Sequence, residues 1–228
     1  MNAGEHGFKS QIYDQLSRIG KAVAHPGRLE LLDLLSQGER SVEALSQQSL
    51  LGHKNTSAQL KELRTARLVR SRRKGKHIYY RLADDSVLAF IHLLRRQAEK
   101  QYPELDSLIR SRLPENQDLL PTHRQKDMVA KAATGKVVLI DVRPEEEYRA
   151  GHLPHALSIP IKRLTEKIAD LPRGKEMVVY CRGPYCVWAA DAVQLLLERS
   201  FSAYRMEMGV GEWQLMGEAL EISEDSDE

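Results

Sequence analysis

The spacing of apolar residues divides the chain into two differently built halves. In the first, Ile12, Leu16, Ile19 and Val23 recur at intervals of three and four, which predicts a helix over residues 10–24 with one apolar face. His25-Pro26 closes that run, because a proline ring holds the residue before it in extended backbone. Leu29, Leu31, Leu32, Leu34 and Leu35 predict a second helix over residues 28–35, with Gly38 as its stop. Ser41 is a good N-cap for a short third helix through Glu43, Ala44 and Leu45, and a fourth starts near Asn55 and runs to Leu63. The period then shortens. Residues 68–73 read as a strand, Lys74-Gly75 as a turn, and residues 76–82 as a returning strand with Ile78, Tyr80 and Leu82 on one face. Residues 84–102, with Val87, Phe90, Ile91, Leu93 and Leu94, predict a longer helix.

Residues 103–127 interrupt this regularity. They hold Pro103, Pro114 and Pro121 and the polar stretch Glu115-Asn116-Gln117-Asp118, and read as a connector with helix over residues 105–113. Beyond it the elements alternate. Strands are expected over 137–142, 157–159, 177–180 and 203–206, and helices over 145–149, 161–171, 187–199 and 211–216. Such alternation predicts an α/β domain with a mostly parallel sheet. The expected organisation is therefore a mainly-α module over residues 1–102, the connector 103–127, an α/β module over 128–220 and an acidic tail over 221–228, read as disordered.

Charge sharpens the division. Residues 1–115 carry 20 Lys and Arg against 13 Asp and Glu, whereas residues 116–228 carry 14 against 19. A basic half and an acidic half point to two modules with different partners. The N-terminus has no apolar signal segment, and apolar runs of about five residues fall far short of the roughly 20 that a membrane span needs. No membrane partner is expected. With only two cysteines there is no disulfide framework, so a cytoplasmic protein with reduced thiols is expected.

Much of the positive charge lies in the hairpin, in Arg70, Arg72, Arg73, Lys74 and Lys76. A hairpin of this kind beside a helix suits double-stranded DNA: the cations reach phosphates while the helix enters the major groove. The helix would present Asn55, Thr56, Ser57, Gln59 and Lys61, and Asn and Gln match adenine edges. The segment Ala24-His25-Pro26-Gly27-Arg28-Leu29-Glu30-Leu31-Leu32-Asp33-Leu34-Leu35 resembles the second helix of ArsR-type transcriptional regulators. The run from Leu60-Lys61-Glu62-Leu63 through Arg72-Arg73-Lys74-Gly75-Lys76 resembles that family's recognition helix and wing. The resemblance spans residues 10–100 and implies a winged helix-turn-helix, a homodimer paired through its first and last helices, and a pseudo-palindromic operator. Ser41 and Glu43 stand where thiolate-based metal sensors of the family carry Cys-x-Cys. Asp84, Asp85 and His92 lie near the family's zinc region, but the second histidine cluster is missing. Neither a metal nor another cofactor is expected.

The only cysteines flank a tight loop, in Val178-Val179-Tyr180-Cys181-Arg182-Gly183-Pro184-Tyr185-Cys186, between an expected strand and an expected helix. Backbone N–H groups and the helix dipole at such a junction favour a thiolate, which is the nucleophilic form. The segments Leu139-Ile140-Asp141-Val142-Arg143-Pro144-Glu145-Glu146-Glu147-Tyr148 to Gly151-His152-Leu153-Pro154-His155-Ala156 and Met206-Glu207-Met208-Gly209-Val210-Gly211-Glu212-Trp213 resemble, with the loop between them, the three motifs of rhodanese-type sulfurtransferases over residues 120–220. The resemblance implies a persulfide at Cys181. Loop N–H groups from Arg182 through Gly183, Pro184, Tyr185 and Cys186 to Val187 would cradle the anion, and Arg182 would attract an anionic donor such as thiosulfate or a persulfide. A cysteine phosphatase would need Cys-x5-Arg, and the sixth residue after Cys181 is Val187. Cys186 reads equally as a thiol that resolves the persulfide and as a small packing residue. Arg143 and Glu147 read as an ion pair, His152 and His155 as supports of the loop, and Trp188 and Trp213 as core.

Together these features describe a DNA-binding repressor whose rhodanese domain senses or carries sulfane sulfur at Cys181. The alternative is a sulfurtransferase enzyme for which the winged helix serves only as a DNA tether. A purely structural rhodanese domain is a third.

Overall fold

The computed structural model describes residues 3–113 and 118–223, with side chains from residue 7 onward. The tail at 224–228 and most of the polar stretch at 115–118 lie outside the described residues. The chain forms two compact units, Met1–Leu94 and Arg95–Glu228.

The first unit opens with α1 (Ala3–Val23) and α2 (Pro26–Ser36). His25 between them is extended and Pro26 occupies the first turn of α2, where no N–H is needed. Gly38, at φ 127°, lets the chain turn back after α2. Strand β1 (Arg40–Ser41) leads into α3 (Val42–Gln48), whose Ala44 N–H donates to the Ser41 hydroxyl at 3.1 Å. Helix α4 (His53–Thr65) follows, then the hairpin of β2 (Val69–Lys74) and β3 (His77–Leu82). The three strands form an antiparallel sheet in the order β1-β3-β2. Helix α5 (Asp85–Gln101) begins in this unit and ends in the second. The core is built of Leu31, Leu32, Leu45, Leu60 and Leu63, all inaccessible to solvent. Opposite it, α1 leaves Phe8, Ile12, Tyr13 and Leu16 exposed.

In the second unit α6 (Pro103–Arg112) and α7 (Thr122–Ala133) precede β4 (Val137–Asp141), α8 (Glu145–Ala150), β5 (Leu157–Ser158) and α9 (Ile161–Lys167). Then come β6 (Glu176–Tyr180), α10 (Val187–Glu198), β7 (Ala203–Arg205) and α11 (Val210–Leu215). All pairings are parallel, in the order β5-β4-β6-β7. Alternate residues of each strand feed opposite faces. Val138, Ile140, Met177 and Val179 join α9 and α10 in one apolar cluster; Val137, Leu139, Val178 and Tyr180 join α7 and α11 in the other. Most predicted elements are found within one or two residues. The exceptions are α1, which starts seven residues before residue 10, α9, which ends four residues before residue 171, and α7, which lies where the connector was expected to reach residue 127. The anchor of α7 is the buried Gln125, whose Nε2 donates to the Leu120 carbonyl at 3.0 Å and whose Oε1 accepts from the Met208 N–H at 2.8 Å. A buried glutamine is polar in sequence, and so hid the inward face of the helix.

A charged network lies under the ends of β4 and β6. Asp141 accepts from Arg143 Nε at 3.0 Å and Nη2 at 2.6 Å, and from the Tyr180 hydroxyl at 2.7 Å. Both charged side chains are fully buried. Burial alone would depress the guanidinium's pKa, but the charge and hydrogen bonds of Asp141 outweigh it and hold Arg143 above its ordinary range. Burial, then the Asp141 charge, pushes the Tyr180 phenol well up. The expected partner Glu147 does add its charge at Arg143, but the carboxylate gripping Arg143 through two nitrogens is Asp141, and Glu147 also grips Arg182 at 2.5 Å. Replacing Asp141 by Ala leaves a buried guanidinium without its main partner. The expected loss in the urea transition of the second domain is about 3–5 kcal/mol. Asp106→Ala, in an exposed pair with Arg110, should cost no more than about 0.5 kcal/mol.

Candidate functional site

The first candidate surface is the exposed side of α4 with the hairpin behind it. Helix α4 begins at His53, two residues before the expected start, so His53 and Lys54 join Asn55, Ser57 and Lys61 on the exposed side. The starting point expected at Asn55 had concealed the first two. Thr56 is corrected: it is fully buried, and its hydroxyl donates to the carbonyls of Leu51 at 3.2 Å and Gly52 at 3.3 Å, so it fixes the start of the helix from inside. Gln59 is half-buried and accepts from Arg28 Nη1 at 3.0 Å. Arg28 also donates to the carbonyls of Lys21 and Ala22, so this one guanidinium ties the end of α1 to α4.

All five hairpin cations, Arg70, Arg72, Arg73, Lys74 and Lys76, are exposed. Gly75, at φ 61°, makes the turn at the tip. Arg72 is paired with Glu39, whose hydrogen bonds and charge raise its pKa, while Arg73 Nε donates to the Gly75 carbonyl at 3.1 Å. Ser41 and Glu43, where metal-sensing relatives carry thiolates, serve here as the cap of α3 and as a partner of His77 at 3.4 Å. Among the described residues no three His, Cys, Asp or Glu side chains converge to hold a metal ion.

The second candidate is the loop between β6 and α10. Cys181 follows β6 directly and is almost wholly buried, at 1% exposure. Gly183 turns the chain at φ 139°, and Cys186 is the N-cap of α10. The two cysteines are joined as a disulfide with a Cα separation of 6.2 Å, where free thiols had been expected. The cradle of N–H groups is smaller than expected. Pro184 has none, and that of Cys186 donates to the Gly183 carbonyl at 3.2 Å. Arg182 does not point at open solvent as a free cation. Its Nε and Nη2 donate to the fully buried carboxylate of Glu147 at 3.0 and 2.5 Å, and its guanidinium lies 4.8 Å from the Trp188 ring centroid. Trp213 is in the core, and Trp188 is half-buried against the cluster on the other face of the sheet. His152 stacks on Tyr148 at 3.6 Å and bonds its carbonyl, and the His155 N–H donates to Glu221 at 3.1 Å.

The loop is held from outside by residues that the sequence did not single out. Gly209 passes so close that a Cβ there would lie 2.7 Å from the Cys181 carbonyl oxygen. Glu212 accepts from the Gly209 N–H at 2.9 Å and sits against Gly183. In the same unit, the last turns of α5 supply Arg95, which bonds Glu212 at 3.0 Å, and Glu99, which accepts from the Tyr185 hydroxyl at 2.5 Å. The Arg95 guanidinium lies 5.4 Å from the Tyr185 ring centroid. A cavity of about 390 Å³ adjoins Pro184 and Tyr185; its lining carries the carboxylates of Glu99, Asp106, Glu207 and Glu212 against the single guanidinium of Arg95.

Two family models match the chain: the bacterial regulatory protein, arsR family, over residues 25–71, and the rhodanese-like domain over residues 124–216. The HTH-type transcriptional regulator Rv0324 of Mycobacterium tuberculosis is 37% identical over 94% of this chain and 94% of its own. The biofilm growth-associated repressor of Agrobacterium fabrum is 43% identical over 32% of this chain and 63% of its own. Among solved structures, the homodimeric winged helix-turn-helix DNA-binding domain (fragment 1–100) of Mb0332 from Mycobacterium bovis is 40% identical. It covers 41% of this chain and 86% of that one, with a TM-score of 0.39. With both domain types matched, and nearly the full length shared with one regulator, the chain belongs to the ArsR family of helix-turn-helix transcriptional regulators and carries a rhodanese-like domain behind its winged helix.

Proposed function

We propose that this regulator is a homodimeric repressor, acting in the cytoplasm, that takes up sulfane sulfur on Cys181 and thereby changes its affinity for DNA. Residues 1–102 serve as the DNA-binding and dimerisation module, joined by the connector 103–127 to residues 128–220 as the sulfur-carrying module. The observation that carries this reading is the setting of the cysteine loop. It is sealed, with Cys181 at 1% exposure between two engaged neighbours, and its Tyr185 and the adjacent Glu212 are held by Glu99 and Arg95 of the same unit. The chain has no other cysteines, so no other thiol can receive the sulfur. In the reduced loop the Cys181 thiolate attacks the outer sulfur of a hydropersulfide; the donor's sulfur–sulfur bond breaks, and the donor thiolate leaves. The dipole of the 12-residue α10, which starts just after Cys186, favours the anionic forms.

The exposed apolar residues Phe8, Ile12, Tyr13 and Leu16 of α1, and Leu93 of α5, support pairing of two copies through the first and last helices of the winged domain. Asn55, Ser57 and Lys61 are the proposed base and phosphate contacts of α4, with Gln59 held back by Arg28. The donor class also narrows. Four carboxylates against one guanidinium beside the loop disfavour the thiosulfate dianion, and Arg182 is neutralised by Glu147, so an alkyl hydropersulfide suits the site better.

A pseudo-palindromic operator selected from random duplex DNA gives the test. Glutathione hydropersulfide should shift the apparent Kd of the reduced wild type by about 5–150-fold in a gel-shift titration, the range of an ordinary allosteric coupling. Cys181→Ser should show no shift. An unmoved wild type, or a variant that shifts equally, overturns the reading; thiosulfate:cyanide turnover with donor-independent DNA binding would favour the enzyme alternative. For the hairpin, Arg73→Ala with Lys74→Ala should weaken binding to every sequence. The slope of log K against log salt should flatten by about 1 for each phosphate no longer neutralised. An unchanged slope would remove the hairpin from the phosphates.

A further inference from the structure

Cys186 stands out because the uptake of sulfur by Cys181 does not use it. It caps α10 at the far side of a loop that folds back on itself, and the structure bonds it to Cys181. The fold-back has three local causes. Gly183 adopts a positive φ that other residues resist, Pro184 fixes its own φ at the next position, and the Cys186 N–H closes the turn onto the Gly183 carbonyl. The Cα atoms end 6.2 Å apart, inside the window of about 4.4–6.8 Å that disulfides span. A persulfide on Cys181 can meet no other cysteine within the chain, since the sequence holds only these two.

We propose that Cys186 is a resolving thiol which converts the Cys181 persulfide into the Cys181–Cys186 disulfide and releases the sulfane sulfur as hydrogen sulfide. The step rests on the sulfur uptake proposed above and balances without an outside oxidant. The Cys186 thiolate attacks Sγ of Cys181, and a new sulfur–sulfur bond forms. The bond from Sγ to the outer sulfur breaks, and hydrosulfide leaves with the electron pair and takes up the proton that Cys186 gave up. Two cysteine thiols are thereby oxidised to a disulfide, and the sulfane sulfur is reduced to sulfide. Hydrosulfide is a weaker base than an alkyl thiolate and leaves more readily. Two equivalents of a low-molecular-weight thiol return the loop to its dithiol form, giving the oxidised thiol dimer as by-product.

The chemistry fits the burial. Cys186 is already in the same loop as Cys181, so its attack on the persulfide is intramolecular, whereas an outside thiol has to reach a site that is 1% exposed in the closed loop. The lasting signal is then a disulfide that spans the loop carrying Tyr185, not a persulfide that the next thiol removes.

The experiment uses the full chain, reduced and freed of reductant, with glutathione hydropersulfide as the probe. Released sulfide and intact mass are followed together, against a blank of donor alone. The wild type should release one sulfide per chain and finish two hydrogens lighter than its reduced form. Cys186→Ser should finish one sulfur atom heavier and release no sulfide until a thiol is added; Cys186→Ala guards against a special effect of the serine hydroxyl. Cys181→Ser should do neither. If the wild type also stops one sulfur heavier with no sulfide released, the resolving role is overturned while uptake by Cys181 stands. If, like Cys181→Ser, neither the wild type nor Cys186→Ser changes mass relative to its own reduced form, the uptake itself fails and the resolving step with it.

Discussion

The cysteine loop stands on two buried carboxylates. Asp141 at the end of β4 binds Arg143 through two nitrogens and accepts the Tyr180 hydroxyl at the end of β6, the residue immediately before Cys181. Glu147, equally buried, takes the guanidinium of Arg182, the residue immediately after it. The two chain neighbours of Cys181 are therefore each fixed by a carboxylate with no access to water. Removing such charges from solvent is costly, and only a full set of partners offsets the penalty. Arg143 gains a further bond to the Gly151 carbonyl, and the Tyr180 hydroxyl in turn accepts from the Leu153 N–H. A network this completely satisfied is stiff, and the thiol inherits that stiffness.

The same network explains what could and could not be read from sequence. Periodicity marked the strands that end at Asp141 and Tyr180, because both are apolar runs feeding a two-sided core. It could not say which acid takes which arginine. Arg143 and Glu147 stand at the right spacing for an ion pair, yet the fold brings Asp141 to the same guanidinium and leaves Glu147 for Arg182, 35 residues away. Thr56 failed for a related reason: a helix start presents hydroxyls inward as readily as outward, and here the buried Thr56 hydroxyl finds the carbonyls of Leu51 and Gly52. Gln125 is the converse case, a polar residue that anchors a helix from within. Such misreadings all concern side chains whose partners are distant in sequence or lie on backbone that only the fold brings near. The positions of Cys181, Cys186, Gly183 and the hairpin cations were legible because local chemistry alone sets them.

Charge placement separates the roles of the two halves. In the winged domain the five hairpin cations are exposed to solvent, as suits groups that exchange counterions for phosphates; Arg72 shares its charge with Glu39 at the surface. In the second unit the arginines near the loop are neutralised: Arg143 by Asp141, Arg182 by Glu147 and Arg95 by Glu212. Each positions a carboxylate or a ring, and none is presented to a diffusing anion as an unpaired charge.

That economy bears on whether the loop is built for turnover or for a signal. A catalytic thiol that serves many donors benefits from exposure and from a cation that gathers anions. Cys181 has neither: it is sealed, its neighbouring guanidinium is engaged, and the charged groups lining the cavity beside the loop are four carboxylates against one guanidinium. A thiol that needs to react only once per event gains from the opposite design. For such a thiol, slow access excludes incidental oxidants. The loop's Tyr185 donates to Glu99, and Glu212, which sits against Gly183, accepts from Arg95.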